Sequence, residues 1–149
     1  MKFLLKYSLL SLILTISNSS NAANENLSKL DLPDGFSIKI FSSDIKSPRQ
    51  MAESDEGVIF VGSKSGDSII ALLDKDNDNY AETKITVASN LSNPTGVEFK
   101  DGSLYFSEVD KIWVIENIDD YVLRSEHQEL PNKKLVTDKI WELLFNNRS

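Results

Sequence analysis

Three aspartates at alternate positions, Asp74, Asp76 and Asp78 in the run DKDNDN, have the spacing that suits a hard cation. Ca²⁺ takes carboxylate and carbonyl oxygens, and the first half of an EF-hand loop supplies them from positions 1, 3 and 5. Read that way, Asn79 stands at position 6, where glycine is preferred, Glu82 at position 9, and Ile85 at position 12, where a bidentate glutamate belongs. The competing reading is an Asx-rich hairpin turn whose carboxylates accept from nearby backbone N–H groups. A second group comprises Arg49 and Asn93, a guanidinium and an amide. Together they suit an anionic or polyhydroxy ligand, or else cap turn backbones and pair with neighbours. Glu108 has the chemistry to act as a base or to accept a sugar hydroxyl, or it is simply solvated. Lys64 and Asp110 accompany it. His127 is the only histidine and stands in a polar stretch with nothing nearby to form a dyad. No phosphate loop, nucleophile elbow or zinc signature is present. The triplets beginning at Asn26 and Asn90 fit the glycosylation pattern, which is too common to carry weight.

These residues are distributed over two half-similar stretches, residues 48–91 and 94–137. The first carries SPRQMAESDEGVIFVGSKSG and the second NPTGVEFKDGSLYFSEVDK. Each has a proline-bearing start, a short apolar strand, an acidic turn closing on glycine, and a second apolar strand. Ser47-Pro48 aligns with Asn93-Pro94 at an offset of 46, and Gly57-Val58-Ile59-Phe60 with Gly102-Ser103-Leu104-Tyr105 at 45. A period of about 40–50 residues built from several short strands is the signature of β-propeller blades. The fold class expected is therefore all-β, with about two four-stranded blades. The apolar runs place strands near residues 50–52, 58–61, 68–73 and 83–88, then 96–99, 103–106, 111–115 and 134–137. A further period-2 strand is expected over FSIKIF, residues 36–41. In such a meander the loop before the first strand and the loop between strands two and three share one rim. Arg49, Lys64, Asn93, Glu108 and Asp110 are thus expected together, with the aspartate loop at the opposite rim.

Residues 1–22 read as a signal peptide. Lys2 and Lys6 precede an apolar run of about ten residues, and small residues, Ser20 and Ala22, stand at the −3 and −1 positions of a cleavage before Ala23. That run is short of the roughly 20 residues a spanning helix needs, so no stable membrane anchor is expected after cleavage. Removing the segment takes two lysines and no acids, leaving 14 basic against 23 acidic residues. A surface this acidic repels phosphate backbones and argues against nucleic acid as a partner. With no cysteine in the chain, disulfides and thiolate metal sites are excluded. Export to the periplasm or medium is expected, with stability resting on core burial alone.

The ordered motifs LPDGFSIKIF, PRQMAESDEGVIFVGSKSG, ALLDKDNDNYAE, LSNPTGVEFKDGSLYFSEVDKIWVIENID and LVTDK, over about residues 30–139, resemble the opening of the sorbosone/glucose dehydrogenase family. That resemblance implies an exported six-bladed propeller that uses pyrroloquinoline quinone (PQQ), often with Ca²⁺, to oxidise a sugar hydroxyl or aldehyde. Beside that resemblance, the rim residues Arg49, Asn93 and Glu108 are the candidates for holding the cofactor, and Asp74, Asp76 and Asp78 for the metal. In such chemistry the cofactor takes the electrons, and the protein supplies position, a base and electrostatics. In the family the TDK motif leads into a histidine- and glycine-bearing segment that supplies the base. Here Asp138-Lys139 is followed by IWELLFNNRS, residues 140–149, read as an out-of-family tail with apolar residues at helical spacing. No catalytic residue carries over, and this chain alone is expected not to turn over sugar. The alternative function is a non-catalytic exported binding module for a glycan or protein. Self-association through open blade edges, three copies rebuilding a ring, is a third expectation.

Overall fold

The computed structural model describes residues 27–124 and 129–138. The expected signal peptide, His127 and the tail at 140–149 lie outside the described residues. The chain divides into two compact units, residues 1–39 and 40–149.

In the first unit the described backbone bonds are two turns, Leu30 N–H to Leu27 O and Phe36 N–H to Pro33 O, both 3.1 Å. The strand expected over 36–41 is not formed. Alternation marks a face that could be buried, but a strand also needs a neighbour to take its N–H and C=O groups. Among its described residues this unit supplies none.

The second unit is all-β. Strands β1 (Pro48–Glu53), β2 (Ile59–Ser63), β3 (Ile69–Leu73) and β4 (Thr83–Ala88) form one antiparallel sheet in the order β1-β2-β3-β4. Strands β5 (Val97–Lys100), β6 (Ser103–Ser107), β7 (Ile112–Ile115) and β8 (Lys134–Thr137) form a second in the order β5-β6-β7-β8. One short helix, α1 (Ile118–Val122), interrupts the connection from β7 to β8 and buries Ile118 and Val122. Every connection in each sheet joins sequence neighbours, by short turns at β1–β2, β2–β3, β5–β6 and β6–β7 and by longer connections at β3–β4 and β7–β8. The β5–β6 turn shows how. Asp101 and Gly102 have φ of 49° and 74°, the left-handed pair that matches strand twist in a two-residue hairpin.

Registers make the two sheets comparable residue by residue. Phe60 pairs with Ala71 and Ile59 with Leu72 in the first sheet. Tyr105 pairs with Val114 and Leu104 with Ile115 in the second. The inner faces meet in one core containing Phe60, Ile69, Ala71 and Val87 from the first sheet and Val97, Leu104, Phe106 and Ile115 from the second. Phe60 stacks on Phe99 across it, ring centres 6.4 Å apart and planes 8° from parallel. Burying one such side chain contributes about 1.5–3 kcal/mol, so this core supplies the main stabilisation of the unit. On the outer face of the first sheet, Val61, Leu72 and Ala81 form a smaller cluster under Phe41 and Ile45.

Candidate functional site

The near rim, where β1 and β5 begin, is bound together by main-chain contacts. Ser47 and Asn93, each before a proline, both have φ of 48°, an uncommon conformation for non-glycine residues. The turn at Asn93 aims the Pro94 carbonyl at β2, where it accepts from Ser63 N–H at 2.7 Å. Gly62 makes this approach possible: a Cβ there would stand 2.6 Å from the Thr95 carbonyl oxygen and 2.7 Å from that of Pro94. Lys64 N–H donates to Ser47 O at 3.1 Å, and the Ser65 hydroxyl to that of Ser47 at 2.7 Å. Gln50 Nε2 donates to Val97 O at 3.2 Å, tying β1 to β5.

On this frame Arg49, Lys64 and Asn93 are exposed and stand at the near rim, as do Glu108 and Asp110. Their chemical situations differ. Glu108 has both oxygens engaged: one accepts from Ser92 N–H at 2.7 Å, the other from Trp113 Nε1 at 2.8 Å. The carboxylate is thereby a bracket holding the loop that bears Asn93 against β7. Asp110 pairs with Lys111 at 3.1 Å, and that hydrogen bond, followed by the aspartate's charge, raises the Lys111 pKa. Arg49 and Asn93 are left as the exposed guanidinium and amide of this rim.

The acidic loop lies at the far rim, beyond the end of β3. Carboxylate oxygens of Asp74, Asp76, Asp78 and Glu82 all lie within 4.8 Å of one another. The loop holds itself in this shape. Asp74 accepts from Asp78 N–H at 3.1 Å and Asn79 N–H at 2.8 Å. Asp78 accepts from Tyr80 N–H at 2.8 Å and Glu82 from Lys75 N–H at 3.1 Å. Asn77 and Asn79 take the left-handed conformation, φ 58° and 70°, that glycine would adopt without cost. Desolvation, then the charges of Asp78 and Glu82, raise the pKa of Asp76. Hard oxygen donors in this number fit a divalent cation such as Ca²⁺, each carboxylate oxygen having lone pairs beyond those used by the loop.

Sequence reasoning placed the two groups on opposite rims, and the strand registers do so. It did not find the Glu108 bracket or Gln50, and it noted Glu82 at position 9 of the loop without counting it among the metal-holding carboxylates. Gly62, by contrast, had a sequence signal: a glycine inside an apolar strand marks close approach of another backbone.

No family model matches the chain. An uncharacterized protein of Borreliella burgdorferi is 35% identical over 146 residues, which cover 96% of this chain and 36% of that protein. The chain therefore spans about a third of the length of this curated relative.

Proposed function

We propose that the two sheets are adjoining blades of a propeller of the PQQ-dependent sorbosone/glucose dehydrogenase kind, and that this chain contributes part of its ligand mouth. The observation that carries the reading is the paired near rim. Two register-matched sheets begin with the same left-handed residue-proline start, both bonded to the end of β2, with Arg49 and Asn93 exposed at that rim. PQQ is a carboxylate-bearing quinone. The guanidinium of Arg49 fits a carboxylate and the Asn93 amide fits a carbonyl or hydroxyl. Both oxygens of Glu108 already accept, from Ser92 N–H and Trp113 Nε1. Its role is to position the loop that carries Asn93. When bound, PQQ would take the two electrons released as a sugar hydroxyl or aldehyde is oxidised. The acidic loop would hold its ion at the opposite rim, so a Ca²⁺ there braces the β3–β4 connection and stands apart from the quinone.

With Glu108 holding the loop, binding without oxidation of sugar is what we expect of the chain by itself. The same engagement favours the second reading, an exported binding module for a glycan or protein. A PQQ titration followed by tryptophan emission, beside a PQQ-reconstituted assay with several aldoses and an artificial electron acceptor, tests both. Binding that weakens in Arg49→Ala, without turnover, is expected. Cofactor-dependent turnover by the chain alone would overturn the non-catalytic role, and absence of PQQ binding would overturn the quinoprotein reading. Export rests on the signal-like residues 1–22, and a mature N-terminus at Ala23, read by N-terminal sequencing, is the expected result.

A further inference from the structure

Residues 116–133 join β7 to β8, whereas residues 74–82 suffice for the matching connection from β3 to β4. Short connections are the rule within a sheet, and chain beyond that need commonly carries function. Here the extra chain adds little to the core. Its helix α1 buries Ile118 and Val122, and Ile118 N–H donates to Gly102 O at 3.2 Å, which seats the helix against the β5–β6 turn. The described residues around and beyond the helix wall a cavity of about 720 Å³ between α1, the end of β7 and the start of β8. Tyr121 bridges two of its sides: the ring packs partly against the core, and the hydroxyl donates to Glu129 O at 2.9 Å.

The wall is polar and carries both signs of charge. Lys134 Nζ is paired with Glu116, so those two charges offset each other. Arg124 shares the cavity with the carboxylates of Asp120 and Glu129, and Asn117 and Asn132 add two neutral amides. The Arg124 charge reaches the Tyr121 hydroxyl, where it opposes the rise in pKa that burial causes. A strongly charged ligand would meet repulsion as well as attraction in such a place. A neutral ligand rich in hydroxyls suits it, because each hydroxyl both donates and accepts. Carboxylates accept from such groups, guanidinium and amide N–H groups donate to them, and planar two-headed side chains span neighbouring hydroxyls. The Tyr121 ring offers the apolar surface on which the C–H face of a sugar packs.

We propose that this cavity binds a sugar, with Tyr121 against the ring's C–H face and Arg124, Asp120 and Asn132 on its hydroxyls. The volume falls in the range of small-molecule sites and has room for a disaccharide. The cavity opens beside the β5–β6 turn, at the far rim, so it is separate from the mouth that bears Arg49 and Asn93. The inference deepens the glycan-binding reading, on which it rests, by giving that ligand a place. The quinone reading holds or fails without it.

The test is ligand-observed saturation-transfer NMR on the full chain with glucose, galactose, N-acetylglucosamine, maltose, cellobiose and chitobiose, in chelator to keep the acidic loop free of metal. Saturation should pass to at least one disaccharide, most strongly to the C–H protons of one ring face. Arg124→Ala should weaken that binding about tenfold and Asn132→Ala about threefold. Both side chains are exposed, so far-UV circular dichroism should be unchanged in each variant. On titration, backbone amide shifts should move at Asn117, Arg124 and Asn132 and stay still at Arg49 and Asn93. A chain that passes saturation to none of these sugars overturns the site and the glycan-binding reading together. Sugar binding that keeps its wild-type strength in both variants, or that moves the near-rim amides instead, overturns this site and leaves that reading standing.

Discussion

The two sheets share strand order, register and inner-face chemistry, yet they differ in what their matched positions touch. Phe60 is fully buried, whereas its counterpart Tyr105 stands on an outer face with its ring partly in solvent. Gly62 lies under the Thr95 carbonyl. Its counterpart Ser107 uses its side chain instead, accepting from Gly96 N–H at 3.2 Å. Ser63 buries a hydroxyl with no hydrogen-bond partner, while Glu108, in the matching place, satisfies two donors. One repeat thus meets two environments. Side chains at matched positions are set by which neighbour arrives, while strand order is set by the local pattern.

Substitutions at matched positions would sharpen or break that comparison. Phe60→Ala should cost about 3–5 kcal/mol by urea denaturation, and Tyr105→Ala under about 1 kcal/mol in the monomer. Equal losses would mean that the outer face of the second sheet is as closely packed as the core. Gly62→Ala should destabilise by about 1–3 kcal/mol, because its new methyl must displace two backbone carbonyls. Ser107→Ala, which loses one hydrogen bond, should cost about 0.5–1.5 kcal/mol. Glu108→Ala should lose about 1.5 kcal/mol and loosen the loop at Asn93, seen as faster amide exchange at Ser92. Its counterpart Ser63→Ala should be neutral or stabilising, since it removes an orphaned hydroxyl.

The smallest effect concerns the two connections at the far rim. Burial raises the Asp119 pKa, and the Ser54 hydroxyl pulls against it. A carboxyl whose folded pKa lies above its unfolded value holds its proton more tightly when folded. Its ionisation therefore weakens the fold as pH rises through the folded pKa. Asp119→Asn should accordingly raise Tm at neutral pH, and the gain should fade as pH falls below about 4. A gain of the same size at both pH values would mean that ionisation is not the cause.

The strands were legible because their apolar residues alternate or run together between glycine, asparagine and aspartate turns. The opposite placement of Arg49 and the acidic loop followed from meander topology. FSIKIF at residues 36–41 was misread for a physical reason: alternation describes a strand's own surface and says nothing of the neighbour it must pair with. The Glu108 bracket was hidden because Ser92 lies 16 residues and Trp113 five residues away along the chain, and only folding brings all three together. Glu82 stood in view at position 9 of the calcium-like loop, but its approach to Asp76 depends on how the β3–β4 connection curls.

The Glu108 bracket also makes this molecule its own optical gauge. The Trp113 indole shares its carboxylate with the amide that seats the Asn93 loop, and Lys133 Nζ lies 4.8 Å from the ring centre on one face. Any ligand or solvent condition that lifts the loop must disturb the field around that ring. With Trp141 replaced by phenylalanine, the emission of a single tryptophan would report the opening and closing of the near rim in real time, without a label.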